Sequence, residues 1–435
     1  MKFRALGFLL ALLVLAGCAG TKVVKKPVED SAKLDQRMAE VQEKIRREGP
    51  SDAAYFELAQ LALAKGDTMR AFVYLDSTLA LRPDNAEARL LKADLLYKRQ
   101  QLRSAFEEYL VLLESDTTGK WSQQVGRTIG LIYPIRQLTK DNSDHANPSF
   151  SPDGKWIAFQ GNAEQNWDLY LLNRETGKIR RLTRDPLDEE APVFWGTSKI
   201  VFTRQQSAET HNRDIFVLDL STLKETPLVV HPADDWFPAV SRDSTRIYFV
   251  SDRGREGSPP TQIYVYDLKA NTVHPLIAKN AGGTSPSLSA DGQKLIFTRL
   301  EDGYYRPFQA NPEGKGVKPL SGLEMHFGAP KFSPDGKKVV FFSKLGSNFD
   351  IFELDLQTNH LERLTAHPGR DLAPSYSPDG SQIVFYSNRT GRYQLYALDV
   401  QKPFSRLDII KRLRAALNGE AGDLQNISGL ISVGQ

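Results

Sequence analysis

The chain has 435 residues, 25% of them charged and 10% aromatic, which is sufficient for roughly two or three folded domains. Its formal net charge of +3 at pH 7 implies no general attraction to nucleic acid. Its single cysteine, Cys18, excludes a disulfide within the chain and a zinc site made of cysteines.

The N-terminus has the pattern of an export signal. Lys2 and Arg4 precede the apolar run ALGFLLALLVL, which is shorter than the roughly 20 residues that span a bilayer. The sequence LAGC that ends at Cys18 resembles a bacterial lipobox. This resemblance implies that a signal peptide, residues 1–17, is removed and that Cys18 is acylated, which would anchor the chain to a membrane. An ordinary signal peptide with an incidental cysteine is the alternative, and alanine after Cys18 favours the outer membrane.

Residues 18–50 are predicted to form a lipid-anchored tether followed by a helix. The stretch TKVVKKPVED is polar and lacks an apolar period. In the segment after it, apolar residues recur at helical spacing until Gly49-Pro50: Leu34, Met38, Val41 and Ile45. A single narrow apolar stripe predicts that this helix docks on another part of the protein.

Residues 51–130 have the composition of a pair of helical repeats with a capping helix. Small and apolar residues recur after 34 positions: Ala59, Ala62, Ala71 and Leu75 are followed by Ala93, Leu96, Ala105 and Tyr109. Together with Tyr55, Leu58, Gly66 and Pro83, they resemble about two tetratricopeptide repeats. Because short arrays need caps, the helix at 31–47 and the segment KWSQQVGRTIGL are predicted to cover their ends. The resemblance implies a groove for a partner's peptide or a spacer, and both remain open.

From about residue 132 the pattern changes to short alternating strands separated by turns. Six prolines recur at intervals of 44, 46, 48, 44 and 44 residues: Pro148, Pro192, Pro238, Pro286, Pro330 and Pro374. Each unit contains strand-like runs, although the second lacks the common turn and the fourth has YYRPFQA, with Pro307, in place of the third strand. Four short strands in roughly 40–50 residues are typical of a propeller blade. The sequence therefore predicts a multidomain protein in which the helical repeat pair is followed by an all-β, six-bladed propeller at 131–404.

The sequence SPDG joins the first two strands of three units. Proline presets φ, aspartate accepts backbone hydrogen bonds and glycine permits a positive φ. The aspartates of these stretches are therefore predicted to be turn residues rather than metal ligands: Asp153, Asp335 and Asp379.

The sixth unit has three clear strands, and a spare strand, YPIRQLT, precedes the first unit. We expect residues 134–139 to complete the sixth blade and so to close the ring. Residues 405–435 are predicted to form a C-terminal helix and tail, and Gly419 is a suitable end for that helix.

The repeated pattern Pro-x-Phe/Tyr-Ser-Pro-Asp-Gly, followed by Asp-Ile/Leu-Phe/Tyr and Leu-Thr, resembles the TolB family of propellers. The resemblance covers about residues 131–404 and implies a protein of the cell envelope. The anchor and the helical repeats stand where that family has an α/β domain, so the family's partner contacts are not transferred. The domain order resembles lipoproteins that serve envelope secretion or assembly machines.

In a propeller, the loops that enter each first strand gather at one end of the channel. Here they carry mostly acidic residues with aromatic and imidazole groups among them: Asp144, His145, Asp188, Glu189, Glu190, Asp234, Asp235, Trp236, His326, Phe327, Arg370 and Asp371. The loops between the second and third strands carry bases: Arg204, Arg253, Arg299, Lys344 and Arg389. This arrangement predicts an acidic mouth inside a basic rim, suited to a basic peptide or a cation. The alternative is that these charges pair from blade to blade and hold the ring together.

The sequence favours a binding protein over an enzyme, with no cofactor, no metal and no nucleic acid partner. It contains no Gly-x-Ser-x-Gly motif, and none of its seven histidines are paired at metal-ligand spacing. The predicted function is a scaffold on the periplasmic face of the outer membrane that binds protein partners of an envelope assembly, secretion or Tol-Pal-like system. The alternative is a receptor or lyase for a small envelope ligand, such as a glycan, that uses the acidic mouth.

Overall fold

The structure is a computed structural model that describes residues 31–207, 209, 212–253, 261–277, 282–345 and 348–419. The signal peptide, Cys18, the start of the tether and the tail after Gly419 lie outside the described residues. The chain divides into two compact units, Met1–Ser115 and Asp116–Gln435. Within the described part of the chain, no helix is both long enough and apolar enough to cross a membrane.

The described part of the first unit consists of helices. They are α1 (Ser31–Glu48), α2 (Asp52–Ala64), α3 (Thr68–Leu81), α4 (Ala86–Lys98) and α5 (Leu102–Ser115). Short polar side chains begin three of them by accepting a backbone N–H of the first turn: Ser51 for α2, Asp67 for α3 and Asn85 for α4. Helices α2 and α3 pack as one hairpin, and α4 and α5 pack as a second.

The small residues that repeat after 34 positions lie inside these hairpins. Ala59, Ala71, Ala93 and Ala105 are fully buried, which allows the paired helices to approach closely. The stripe of α1 is buried against α2, so the predicted docking of this helix is confirmed. The membership of the hairpins in the tetratricopeptide family stays a prediction.

Helix α6 (Ser122–Ile129) corrects one predicted boundary. The sequence predicted one helical domain at 51–130 with this segment as its cap, but the first unit ends at Ser115 and α6 belongs to the second. It contacts the C-terminal helix α7 (Arg406–Asn418), and Arg127 pairs with Glu362 of the propeller at 3.2 Å. The apolar residues of so short a helix do not specify which neighbour they cover, which is why the sequence misplaced it.

The second unit contains six four-stranded antiparallel sheets. Blade one comprises β2 (His145–Phe150), β3 (Trp156–Gly161), β4 (Asp168–Asn173) and β5 (Ile179–Arg181). Blade two comprises β6 (Glu189–Trp195), β7 (Lys199–Gln205), β8 (Arg213–Asp219) and β9 (Glu225–Val229). Blade three comprises β10 (Asp235–Val240), β11 (Arg246–Ser251), β12 (Gln262–Asp267) and β13 (Thr272–Pro275).

The remaining blades repeat this order. Blade four comprises β14 (Thr284–Leu288), β15 (Leu295–Glu301), β16 (Tyr304–Ala310) and β17 (Lys318–Pro319). Blade five comprises β18 (Gly328–Phe332), β19 (Lys338–Leu345), β20 (Asn348–Asp355) and β21 (Leu361–Arg363). Blade six comprises β22 (Asp371–Tyr376), β23 (Gln382–Ser387), β24 (Gln394–Asp399) and, from the start of the unit, β1 (Ile135–Gln137).

The ring closes as the sequence predicted. Strand β1 pairs antiparallel with β24, with Ile135 opposite Leu398, and the backbone N–H of Asp399 donates to the carbonyl of Pro134 at 3.0 Å. Strand β2 of blade one also contacts β22 and β23 of blade six. The two ends of the propeller sequence are therefore fastened within one sheet. The two atypical units are complete blades as well, since YYRPFQA forms the third strand β16.

A bulge marks the first strand of every blade, just before its proline. The pairing with the second strand shifts register at each of these sites. The residue before each proline has a positive φ of 44° to 54° although it is not glycine: Asn147, Ala191, Phe237, Ser285, Ala329 and Ala373. Because proline cannot donate a ladder hydrogen bond, the bulge accommodates it inside a paired strand.

The SPDG stretches form the turns that were predicted. The Ser151 hydroxyl donates to Asp153 at 2.6 Å, and the N–H of Lys155 donates to the same carboxylate at 3.1 Å. Ser333 with Asp335 and Ser377 with Asp379 repeat these contacts. The serine hydrogen bond lowers the pKa of each aspartate. The aspartates therefore act as turn residues.

The core repeats six times as well. The second strand of every blade contributes one fully buried phenylalanine: Phe159, Phe202, Phe249, Phe297, Phe341 and Phe385. Each of these rings lies beside an aromatic ring of the third strand, with centroids 5.5 to 6.0 Å apart. Arginine side chains of the channel mouth stack on several of these ring pairs.

Candidate functional site

The entry-loop aspartates hold neighbouring blades together. Asp144 accepts the N–H of Tyr393, Asp188 that of Trp167, and Asp234 that of Arg213, each at 2.9 Å. In each case the donor starts the third strand of the preceding blade. For these three residues the structure supports the alternative that the charges fasten the ring.

The next residue of each entry loop is buried. His145, Glu189, Asp235, Phe327 and Asp371 are each at most 3% exposed. Their equivalent in blade four is Gly283, because its N–H donates to a carbonyl of the preceding blade just as those of Glu189 and Phe327 do. Five of the six blades thus place a large side chain at this position and the fourth does not.

Three of the five bases predicted for the rim lie beside acids of the entry loops. Arg253 pairs with Asp235, Arg389 pairs with Asp371 at 2.9 Å, and Arg204 lies 4.0 Å from Glu189. Each guanidinium reaches back over an aromatic ring of its own blade, at 4.8 to 5.1 Å from the ring centre. The sequence located these arginines by their loops and could not specify the reach of the side chains, so it separated charges that the structure pairs.

Burial changes the proton affinity of these acids. It raises the pKa of Glu189 to about 8 and that of Asp235 to about 6, in spite of the neighbouring arginines. Arg204 has two closer carboxylates in Asp185 and Glu225, the second at 3.0 Å, and therefore compensates Glu189 only weakly. At neutral pH Glu189 is accordingly mostly protonated.

A second layer of buried carboxylates was missed by the sequence interpretation. Asp168, Asp214 and Asp350 are at most 4% exposed and occupy equivalent positions at the start of the third strand. Asp168 pairs with Arg181 at 2.7 Å and Asp350 with Arg363 at 2.8 Å. Burial raises the pKa of Asp350 to about 7. The repeated Asp in DLYLL, DIFVL and DIFEL was the available signal, but it was used only to recognise the strand.

Two groups of mouth residues keep partly exposed side chains. On blades two and three, Arg213 lies 3.5 Å from Glu190 and stacks 5.0 Å from the ring centre of Trp236; Arg213 and Glu190 are each 23% exposed. On blades five and six, Arg370 stacks over Phe349 at 4.8 Å.

Tyr386 and Tyr393 meet edge to face at 5.4 Å beside the second of these groups. Burial raises the pKa of Tyr386, and Tyr393 and Glu190 add smaller contributions to that rise. The open part of the mouth is thus made of arginine, tryptophan and tyrosine side chains rather than of free carboxylates.

The two predicted histidines, His145 and His326, each lie beside aromatic rings. His145 packs edge to face on Phe159 at 4.9 Å, and burial lowers its pKa. His326 accepts the N–H of Tyr305 through Nδ1 at 3.2 Å. Burial, with the charge of Lys344, lowers the pKa of His326. The described residues contain no group of three or more His, Cys, Asp or Glu side chains that could hold a metal ion.

The remaining predicted residues lie on blades four and five. Phe327 stacks on Phe341 with centroids 3.8 Å apart and is buried. Lys344 is exposed on β19. Arg299 stacks over Phe297 and Phe308 at 5.2 and 4.7 Å, and its buried Nε has no hydrogen-bond partner among the described residues.

The family model described as the TolB beta propeller domain matches residues 133–323 and 313–408. The chain belongs to this family. Its six blades and their closure within one sheet agree with that assignment.

Curated relatives of this chain include proteins named TolB. The chain is 23% identical over 210 residues to the Tol-Pal system protein TolB of Nitratidesulfovibrio vulgaris, covering 47% of this chain and 45% of that protein. It is 25% identical over 272 residues to the TolB homolog of Chlorobium luteolum, covering 62% of this chain and 60% of that one. The chain thus spans about half of the curated relatives that it matches. It is a TolB-like propeller protein rather than TolB itself.

Solved structures of propellers are similar to this chain at low sequence identity. TolB from Acinetobacter baumannii is 24% identical with a TM-score of 0.47, covering 54% of this chain and 58% of that one. An oligogalacturonate lyase from Vibrio parahaemolyticus is 14% identical with a TM-score of 0.47, covering 62% and 94%.

Proposed function

We propose that this chain is a non-enzymatic scaffold of the cell envelope that binds a protein partner at the mouth of its propeller. The observation that carries the proposal is the composition of the open mouth, where Arg213, Trp236, Arg370 and Tyr393 are partly exposed. Arginine, tryptophan and tyrosine are the residue types enriched at protein interfaces and at their energetic centres. Membership in the TolB propeller family supports a role in a Tol-Pal-like system.

The pairing of the mouth charges favours a protein over a simple cation. Asp235 and Asp371 are buried against arginines, and Asp188 and Asp234 accept backbone hydrogen bonds. A cation would therefore have to break existing contacts, whereas a peptide can cover the aromatic and guanidinium faces that remain open. The partner is then recognised by its shape and by stacking as much as by charge.

The rest of the proposal concerns location and the helical unit. Acylation at Cys18 would hold the chain on the periplasmic face of the outer membrane, and the helical hairpins would supply a second place for a protein partner. Both elements depend on the sequence patterns described above. Replacement of Cys18 by serine is expected to move the protein from the membrane fraction to the fluid of the periplasm; retention in the membrane would contradict the anchor.

The mouth is tested by crosslinking in intact cells followed by identification of the captured proteins. Trp236→Ala is expected to abolish the crosslinked partner, because it removes the ring on which Arg213 lies. Val230→Ala is the control, since Val230 is 66% exposed, follows β9 of blade two and takes no part in the stacked groups. An unchanged set of partners in the Trp236 variant, with its melting temperature also unchanged, would refute the proposal. A glycan that binds the purified protein and is lost with Trp236 would support the alternative of a glycan receptor.

A further inference from the structure

Blade four lacks an acid that every other blade supplies near its mouth. Two positions can hold it: the buried residue at the start of the first strand and the residue at the start of the third strand. Across the other blades at least one of them is a buried carboxylate: Asp168, Glu189, Asp214, Asp235, Asp350 and Asp371. In blade four these positions are Gly283 and Arg306.

The equivalence of these positions follows from the strand register. In blade two, Arg204 of the second strand is paired with Glu189 on one side and Asp214 on the other. In blade four, Arg299 takes the place of Arg204, two residues after the buried phenylalanine, and is paired with Arg306. One arginine between two acids in blade two thus becomes two adjacent arginines in blade four.

Arg299 keeps its stacking contacts but forms no ion pair within the described part of the chain, and Glu301, the acid that raises its pKa, is exposed. Its guanidinium lies over Phe297 and Phe308, as that of Arg204 lies over Phe216. Its Nε is buried and has no hydrogen-bond partner among the described residues. Burial lowers the pKa of Arg299, yet guanidinium stays charged at any physiological pH. A partly buried cation without a partner is costly to the folded protein, which makes an incoming anion favourable.

The surroundings add positive charge. The Nε of Arg306 is also buried without a partner, and its other contact, 3.3 Å to Asp302, is to a side chain that is 84% exposed. Lys344, exposed on blade five, lowers the pKa of His326, which holds the start of β16. Gly283 has a φ of +156°, and a Cβ there would lie 3.1 Å from the side chain of Ile263, so an acid at this position would be strained and tightly packed.

We propose that Arg299 and Arg306 bind a carboxylate of the protein partner, which occupies the place that Glu189, Asp235 and Asp371 fill in their own blades. The carboxylate is an aspartate or glutamate side chain or the partner's C-terminus. This inference rests on the proposed function and specifies the chemistry of the partner. In blade six, Nη2 of Arg389 donates to both carboxylate oxygens of Asp371, and in blade four the partner's carboxylate would accept such charge-assisted hydrogen bonds across an interface.

The test measures binding of labelled peptides to the full chain by fluorescence anisotropy. The probes are amidated hexaglutamate, amidated hexaglutamine, and hexaglutamine with a free C-terminus. We expect amidated hexaglutamate to bind and amidated hexaglutamine not to bind, and Arg299→Gln to weaken the first at least about tenfold, as loss of a charge-assisted hydrogen bond requires. Binding of the third peptide alone would identify a C-terminal carboxylate as the ligand.

Arg180→Gln is the matched control for net charge, because Arg180 is exposed on β5 of blade one. Equal weakening by Arg180→Gln and Arg299→Gln would overturn the proposal, and so would failure of every carboxylate probe to bind.

Two further measurements separate the possible failures. Arg204→Gln is expected to lower the melting temperature because it leaves three acids without their base, whereas Arg299→Gln should leave it unchanged or raise it. If Trp236→Ala abolishes crosslinking while Arg299→Gln retains it, the proposed function stands and this inference fails. If both variants retain the partner, the proposed function itself fails.

Discussion

Four of the six blades use aspartate in opposite ways at their two ends. At the turn end, Asp153 and Asp243 are exposed and accept hydrogen bonds from serine and backbone groups of their own turns, which lowers their pKa. At the mouth end, Asp235 and Asp350 are buried between strands, and burial raises their pKa despite nearby arginines. The comparison teaches that the same residue type sets local backbone geometry at the turn end, whereas at the mouth end it is a buried acid with a raised pKa.

The largest effect should come from breaking a buried pair at the mouth end. Arg389 is 1% exposed and Asp371 is 0% exposed. Arg389→Gln would leave a buried carboxylate without its cation and should lower the free energy of unfolding by about 3–5 kcal/mol. Chemical denaturation of the full chain at neutral pH measures it. Lys155→Gln, at an exposed residue of a turn, is the control and should change stability by less than about 0.5 kcal/mol. Comparable losses of stability in the two variants would contradict the larger contribution of the mouth end.

The second effect is a pH dependence of opposite sign at the two ends. Glu189 has a folded pKa of about 8, above its ordinary value of 4.5, so the folded state holds a proton that the unfolded state releases between these values. Its contribution therefore favours folding less and less as pH rises from about 5 to 8. Relative to Glu189→Gln, the wild-type protein should lose on the order of 3 kcal/mol across that window, measured by denaturation at several pH values.

The turn end supplies the contrasting titration. The pKa of Asp243 is lowered to about 2 from 3.8, so its contribution is present above about pH 4 and is lost as pH falls through 2. Asp243→Asn should consequently differ from the wild-type protein by a constant amount between pH 5 and 8. A difference that varies across that range would contradict the assignment of this aspartate to a local turn.

The smallest effect should follow from changing a single turn. Asp153→Ala removes the acceptor for the Ser151 hydroxyl and the Lys155 N–H and should cost about 1 kcal/mol, because each bond is partly replaced by water. Native-state hydrogen exchange should show the opening confined to the hairpin of β2 and β3. Exchange that spreads to blade six would indicate that the turn also carries long-range stability.

The fold was largely predictable because its signals are local and repeat. The six prolines and the SPDG turns fix a unit length and a hairpin register, and the spare strand before blade one identified the closure. The positive φ before each proline was not predictable, because Asn147, Phe237 and Ala329 share no side-chain property that marks it. The capping role given to α6 stays a prediction, since burial of a few apolar residues does not specify the surface that covers them.

The sequence named the residues of the candidate site but did not pair their charges, and their role in binding stays a prediction. It separated acids from bases that long arginine side chains bring together, as with Arg253 and Asp235. The missing acid of blade four was visible only once the register aligned Gly283 and Arg306 with the acids of the other blades. Sequence spacing therefore predicts where a residue lies in the fold. Its ion pair depends in addition on the direction that the side chain takes, which spacing does not give.

The closing strand has a mechanical consequence. Residues ahead of the propeller lead directly into β1, whose three residues pair only at the outer edge of blade six. Once the contacts of α6 with α7 and with Glu362 have given way, tension along the polypeptide from the N-terminal side falls on the pairs that Ile135, Arg136 and Gln137 make with β24. Such a pull would detach one outer strand while the hydrogen bonding of the other five sheets is left intact, so the ring yields to force at a single defined seam.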